Sequence, residues 1–337
     1  MTTLVTGAAG HVGANLVRAL LTHGYNVRAL IHHNKITLQN LDIGTVQGDV
    51  RDLSSLVTAF KGVDTVYHLA ASLALTPDHW RDMEPVNVIG TRNVIEACLQ
   101  NHVKRLVHFS SVHAMDPDAI RKTVDETCRL MKNSDWPPYG FSKAAGEKEI
   151  EKGMQKGLNA IIIRPTSILG PYDFQPSFFG EVLILLAQGK LPGMVNGGFD
   201  WVDVRDVVEG AIKAEQVAPS GADYLLSGHW ASLREIADIT EIITGKSAPR
   251  FNCPLWLAEA GAPFVTVYDR LRHRRPLYTS FSIKTLRASP IVSHDKATRE
   301  LDYHPRPLEQ SISDTLEWFR QTGKIAYSPR VLSGAPS

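Results

Sequence analysis

Apolar residues in the first half of the chain gather in short β-branched runs, and the stretches between them have helical spacing. The run TLVTG (3–7) breaks at a glycine. Val12, Leu16, Ala19 and Leu20 then share one face of a helix over 11–24, which stops at Gly24. Further runs at 26–32, 45–50, 65–71, 105–111 and 158–165 read as strands two to six. Long helices are expected over 84–100 and from Tyr139 to Gly157. This alternation predicts an α/β fold, a doubly wound parallel sheet with helices on both faces. Near-continuous apolar strands such as AIII (160–163) suit burial on both sides.

The pattern changes after Pro165. Residues 166–200 are rich in Pro, Gly and aromatics, and read as loops and short helices that line a site. Strand and helix return at 201–214, a further strand is expected at 222–228, and helices at 232–245, 255–277 and 307–323. The stretch 255–277 is amphipathic with a basic end, 270–275, which reads as a solvated helix terminus. The expected division is a main domain of 1–165 plus 201–219, a smaller C-terminal domain of 166–200 plus 220–325, and a loose tail of 326–337.

Composition narrows the function classes. Of 337 residues, 43% are apolar, enough for a sizeable core. Lys and Arg number 36 against 35 Asp and Glu, so no basic footprint asks for nucleic acid. Cys98, Cys128 and Cys253 fit neither a disulfide framework nor metal-ligand spacing, so no metal is expected. A reducing compartment is the default, and the N-terminus lacks the pattern of a signal peptide. No apolar run approaches the ~20 residues of a membrane span. A cytoplasmic protein acting on a small molecule is expected.

Two short stretches carry the candidate chemistry. TGAAGHVG (6–13) lies between a strand and a helix, with glycines at 7, 10 and 13. Glycines there permit a tight turn and let a pyrophosphate approach a helix N-terminus. The spacing differs from the G-x-G-x-x-G fingerprint. In YGFSK (139–143), Tyr139 and Lys143 lie four residues apart and so on one helix face. A phenol has a pKa of about 10, and a nearby ammonium favours its ionised form. Tyr139 can then give or take a proton, with Lys143 as its activator.

TGAAGHVG followed by YGFSK resembles the TGxxGxxG loop and YxxxK element of the extended short-chain dehydrogenases/reductases. GDV (48–50), HLAA (68–71), NVIGTRNVIEA (87–97), SS (110–111) and RPTSILGP (164–171) follow in the family's order, and the match reaches LDYHPRPLEQSISDTLEWF (301–319). Dihydroflavonol-reductase-like and 3β-hydroxysteroid-dehydrogenase-like enzymes are the most similar branches. The resemblance implies a Rossmann-type dinucleotide-binding domain and a smaller C-terminal substrate-binding domain. It implies a catalytic set of Ser111, Tyr139, Lys143 and Asn87, with Ser111 on the substrate oxygen and Asn87 reaching Lys143 through water. It places Gly7, Gly10, His11, Val12, Gly13, Asp49, Val50, Leu69, Ala70, Ala71, Pro165 and Ile168 along the cofactor, with Tyr139 and Lys143 at its nicotinamide end. A homodimer through 84–100 and 139–157 is the family's analogy. Strand 2 ends ALIHHNK (29–35), without the carboxylate that selects NAD. His32, His33 and Lys35 can complement a 2′-phosphate instead, so NADPH is favoured over NADH, although family members carry an arginine near His32.

Three functions compete. An NADPH-linked reductase of a fairly apolar or ring-containing ketone, reversible as an alcohol dehydrogenase, is the first. A nucleotide-sugar epimerase or dehydratase is the second, and a non-catalytic NAD(P)-sensing module the third. VHAM (112–115) stands where sugar-nucleotide enzymes usually carry VYG, and Ser167 stands in the region of their asparagine. The aromatics Tyr172, Phe174, Phe178, Phe179 and Trp201 suit an apolar substrate, with Tyr172, Phe174 and Phe178 as its expected contacts. Retention of Ser111, Tyr139 and Lys143 favours catalysis over sensing.

Overall fold

The computed structural model describes residues 1–32, 36–73, 80–116, 123–132, 138–191, 193–254, 256–258, 260–261 and 291–327. His33, Lys35, Trp136 and the basic stretch 270–275 lie outside the described residues.

The chain begins with β1 (Thr2–Thr6), α1 (His11–Thr22), β2 (Asn26–Ile31), β3 (Gly44–Gln47), α2 (Leu53–Ala59) and β4 (Thr65–His68). It continues with α3 (Trp80–Met83), a π-helical turn (Glu84–Ile89), α4 (Gly90–Gln100), β5 (Arg105–Phe109), β6 (Thr123–Val124), α5 (Pro138–Gln155) and β7 (Ala160–Pro165). The region after Pro165 adds β8 (Ser167–Leu169), α6 (Phe178–Ala187), β9 (Met194–Val195), β10 (Gly198–Asp203), α7 (Val204–Val217), β11 (Asp223–Leu226), β12 (His229–Ser232) and α8 (Leu233–Thr244). Helices Asp295–Leu301 and Leu308–Gln321 come last.

Seven strands form the main sheet in the order β11-β7-β5-β4-β1-β2-β3. Every pairing in it is parallel. Chain order reverses between β1 and β4, and such a switch point is where doubly wound sheets bind ligands. One apolar layer joins Val5, Tyr67, Val107 and Ile163 to α1 and α7. The opposite layer joins Leu4, Val66, Leu106 and Ile162 to α2, α4 and α5. Both faces are covered, which explains why the strands read as continuous apolar runs rather than alternating ones.

The expected Rossmann-type sheet is present, with two differences in allotment. Asp223–Leu226, assigned from sequence to the smaller domain, is the edge strand of the main sheet and pairs with β7. Conversely, Trp201–Asp203 belongs to a three-stranded sheet of β12, β10 and β8. Local apolar pattern cannot say which sheet a strand joins. A second core, with Leu183, Phe199, Trp201, Ile236 and Phe319, underlies the smaller lobe. Ser232 and Glu235 form a capping box that starts α8.

Beneath α5 runs a buried ion chain. Glu147 is fully buried and receives both Nε and Nη2 of Arg164, at 2.9 and 2.7 Å. Arg164 also pairs with Asp223, which Lys296 meets at 3.2 Å. The chain ties α5 to β7, β11 and the helix Asp295–Leu301. Removing one partner of a buried pair leaves the other uncompensated. Glu147→Gln is therefore expected to lower unfolding free energy by about 3–5 kcal/mol in urea titration. A loss below about 1 kcal/mol would show that Asp223 alone satisfies Arg164.

Candidate active site

At the switch point, Thr6 ends β1 and Gly7 turns the chain at a φ of 68°. A Cβ on Gly7 would lie 2.7 Å from the Ala70 nitrogen, so glycine is required for the backbone to approach the end of β4. Gly10 is the N-cap of α1. No side chain caps this helix and its first turn holds no acidic residue. An uncapped N-terminus with that composition suits a pyrophosphate. The His11 side chain is committed to the Gly170 and Pro171 carbonyls, at 3.2 and 3.1 Å, so its offering to a cofactor is backbone. Leu69 and Ala70 run alongside, both amides donating to the Thr6 hydroxyl at 3.2 Å.

Where the adenosine end is expected, His32 lies 3.0 Å from Asp49, which also accepts from Arg51 Nε at 2.9 Å. The Arg51 hydrogen bonds hold the Asp49 carboxyl down at about 2. Arg51 is a cation that sequence reasoning passed over; it follows GDV (48–50), but pairing of β2 with β3 is what carries it to His32. Val50 is buried, packs against Gly90, and accepts from Asn93 Nδ2 at 2.9 Å.

Ser111, at the end of β5, lies close enough to the Tyr139 hydroxyl to favour its ionised form. Ser110 is buried, and its hydroxyl has no partner among the described residues. Alternation along the strand thus brings Ser111, and not Ser110, to the tyrosine. Burial pushes the Tyr139 phenol up to about 12, against the opposing effect of Ser111. Lys143 lies one turn along α5, also buried, and donates to the Phe109 carbonyl at 2.8 Å. Burial lowers its ammonium to about 8, opposed by the Glu147 charge. Desolvation thus dominates at both groups, raising Tyr139 and lowering Lys143. His113 is exposed, its ring edge-on to Tyr139 with centroids 6.4 Å apart.

Asn87 lies in the π-helical turn, a distortion that often marks a functional position. Its amide is committed differently from the expected water link to Lys143. Oδ1 accepts from the Ser72 amide at 2.8 Å, and Nδ2 donates to the Ser72 carbonyl and the Ser142 hydroxyl. Ser142 sits inside YGFSK, but its partner is fixed only when α5 packs on the π turn. Gly146 permits that packing, since a Cβ there would meet the Asn87 carbonyl at 2.7 Å.

The loop after Pro165 splits the proposed substrate contacts. Tyr172 stacks on Trp318 at 4.7 Å and under the Arg18 guanidinium at 4.4 Å, and Phe174 packs on the same pair. Those two rings are thereby engaged with α1 and the last helix. Phe178 and Phe179 instead join Trp201 around an apolar cavity that includes Val182, Leu183 and Met194. Ile168 in β8 packs on the main core, close in sequence to Pro165. No helix among the described residues is long and apolar enough to cross a membrane, and these residues hold no group of metal ligands.

The model of the NAD dependent epimerase/dehydratase family matches residues 3–226. The chain belongs to that family. It is an NAD(P)-dependent oxidoreductase with the extended short-chain dehydrogenase/reductase fold. It is 33% identical to sterol demethylase protein B of Methylococcus capsulatus, over 96% of this chain and all of the relative. It is 32% identical to a putative dihydroflavonol 4-reductase of Synechocystis, over 95% of both chains. The crystal structure of gox2253 superposes with a TM-score of 0.83 at 31% identity, covering 96% of this chain and 99% of that one.

The Lys143 ammonium sets a pH dependence. It carries charge below about 8 and loses it above. Carbonyl reduction is expected to decline as pH rises through that region, because the neutral amine no longer favours a developing phenolate. Glu147→Gln removes the charge that holds Lys143 up and should move the decline to lower pH. A kcat/KM profile over pH 6–10, unchanged in this variant, would contradict the assignment.

Proposed function

We propose that the chain is an NADPH-dependent ketoreductase, reversible as an alcohol dehydrogenase, acting on a fairly apolar or ring-containing small molecule. One observation carries this reading: Ser111 at the end of β5 acts on the Tyr139 hydroxyl while Lys143 lies buried one turn further along α5. When bound, the nicotinamide supplies or accepts the hydride. Ser111 donates to the substrate oxygen and concentrates charge there. Tyr139, protonated at neutral pH, gives its proton to that oxygen in reduction. Lys143 stabilises the resulting phenolate.

The uncapped start of α1, with the Gly7 turn against Leu69 and Ala70, supports a dinucleotide along the switch point. Arg51 beside His32 supports the 2′-phosphate as a fixed cation at that end of the crevice, its Nε and Nη2 being held by Asp49. The apolar cavity at Phe178, Phe179 and Trp201 supports an apolar substrate, in keeping with relatives named for sterols and dihydroflavonols. A nucleotide-sugar epimerase is the alternative within the family.

The test is oxidation of NADPH and of NADH with a panel of ketones, steroids, flavanonols and nucleotide sugars. Tyr139→Phe should lower kcat by about 10²–10⁴-fold; wild-type turnover in that variant removes Tyr139 as the proton donor. Turnover of a nucleotide sugar without net oxidation of the cofactor favours the epimerase. In the same assay, Arg51→Ala should raise the KM for NADPH about tenfold while leaving that for NADH within about twofold. Equal effects on both cofactors would remove Arg51 from the 2′-phosphate.

A further inference from the structure

His68 is the last residue of β4 and is buried, with both ring nitrogens in hydrogen bonds. Nδ1 lies 2.8 Å from the Thr6 hydroxyl and Nε2 lies 3.0 Å from the Thr91 hydroxyl. Proton directions in this cluster follow from its ends. Thr91 spends its one proton on the Asn87 carbonyl, at 2.8 Å, because a carbonyl only accepts. Thr91 must then accept from His68, so Nε2 carries the ring proton. Nδ1 is therefore bare and accepts from Thr6. The Thr6 oxygen in turn takes the amide protons of Leu69 and Ala70. Each donor has an acceptor, and only one tautomer of His68 satisfies them all.

The same chain continues past Asn87. Its side chain grips the Ser72 backbone and donates to Ser142 at 2.8 Å. Ser142 donates to the Tyr139 carbonyl at 2.7 Å. One directed path of hydrogen bonds thus joins the end of β1, the backbone after β4, the π turn and the start of α5.

We propose that His68 is a positioning residue that, held as its Nε2–H tautomer between Thr6 and Thr91, couples the seating of the cofactor along Gly7–Ala70 to the placement of Tyr139. This rests on the reading of Tyr139 as proton donor. Burial keeps the ring neutral, its pKa lowered to about 3, so the tautomer persists across the working pH range. The Lys143 charge also disfavours a charged His68, and the His108 ring, tilted against it with centroids 5.4 Å apart, is itself held neutral by burial.

Thr91→Val removes the acceptor for Nε2 with little change in volume, and Thr91→Ser keeps the hydroxyl. Thr91→Val is expected to raise the NADPH Kd about tenfold, read by nicotinamide fluorescence, and to lower kcat about tenfold. Thr91→Ser should stay within about twofold of wild type in both. In the ¹⁵N-histidine spectrum, His68, identified by its loss in His68→Phe, should show a protonated Nε2 and bare Nδ1 from pH 6 to 9. Lower melting temperatures in Thr91→Val with wild-type Kd and kcat would assign the network to stability alone and overturn the proposal, as would an Nδ1–H tautomer. A wild-type chain that binds neither NADPH nor NADH overturns the function reading as well, which separates the two failures.

Discussion

The end of β1 lies against the end of β4 with no atom to spare, and the rest of the site follows from that contact. Gly7 meets the Leu69–Ala70 peptide where a Cβ would collide, while the Thr6 hydroxyl takes the two amides beyond the strand. Because the sheet reverses its order between these strands, their ends diverge into separate connections and leave a crevice. The start of α1 opens onto that crevice as an uncapped helix terminus. The crevice is thus a property of strand order and one glycine, and Asp49, Arg51 and His32 gather at one end of it.

The candidate acid–base centre is built on the other side of the same crevice by a different means. Ser111 ends β5, whereas Tyr139 and Lys143 ride on α5, and α5 is held down by the Glu147–Arg164 pair below and the Asn87 clamp beside it. Desolvation then acts on both groups in opposite directions. It keeps the phenol protonated and brings the ammonium toward neutrality.

Much of this was legible because the informative residues are close in sequence. The glycine turn needs its strand before it and its helix after it. YGFSK places Tyr139 and Lys143 on one face by helical period alone, and the β5 serines follow from strand alternation. What escaped was the set of groups whose partners lie far along the chain. His68 reads as one more residue of an apolar strand until Thr6 and Thr91 close on it. Arg51 gains meaning only when β3 pairs with β2. Tyr172 and Phe174 look like a substrate wall, yet Trp318 and Arg18 claim them.

By itself the sequence determined the alternation of strands and helices, the glycine turn after β1 and the pairing of Tyr139 with Lys143 on one helix face, because each is set by local periodicity or by a steric demand within a few residues. Tertiary structure decided which strand closes the main sheet and which aromatics surround the apolar cavity. It also decided the ionisation behaviour of Lys143 and the single tautomer of His68. Those depend on burial and on hydrogen-bond partners as distant along the chain as Thr6 is from His68, 62 residues, and spacing along the chain does not encode either.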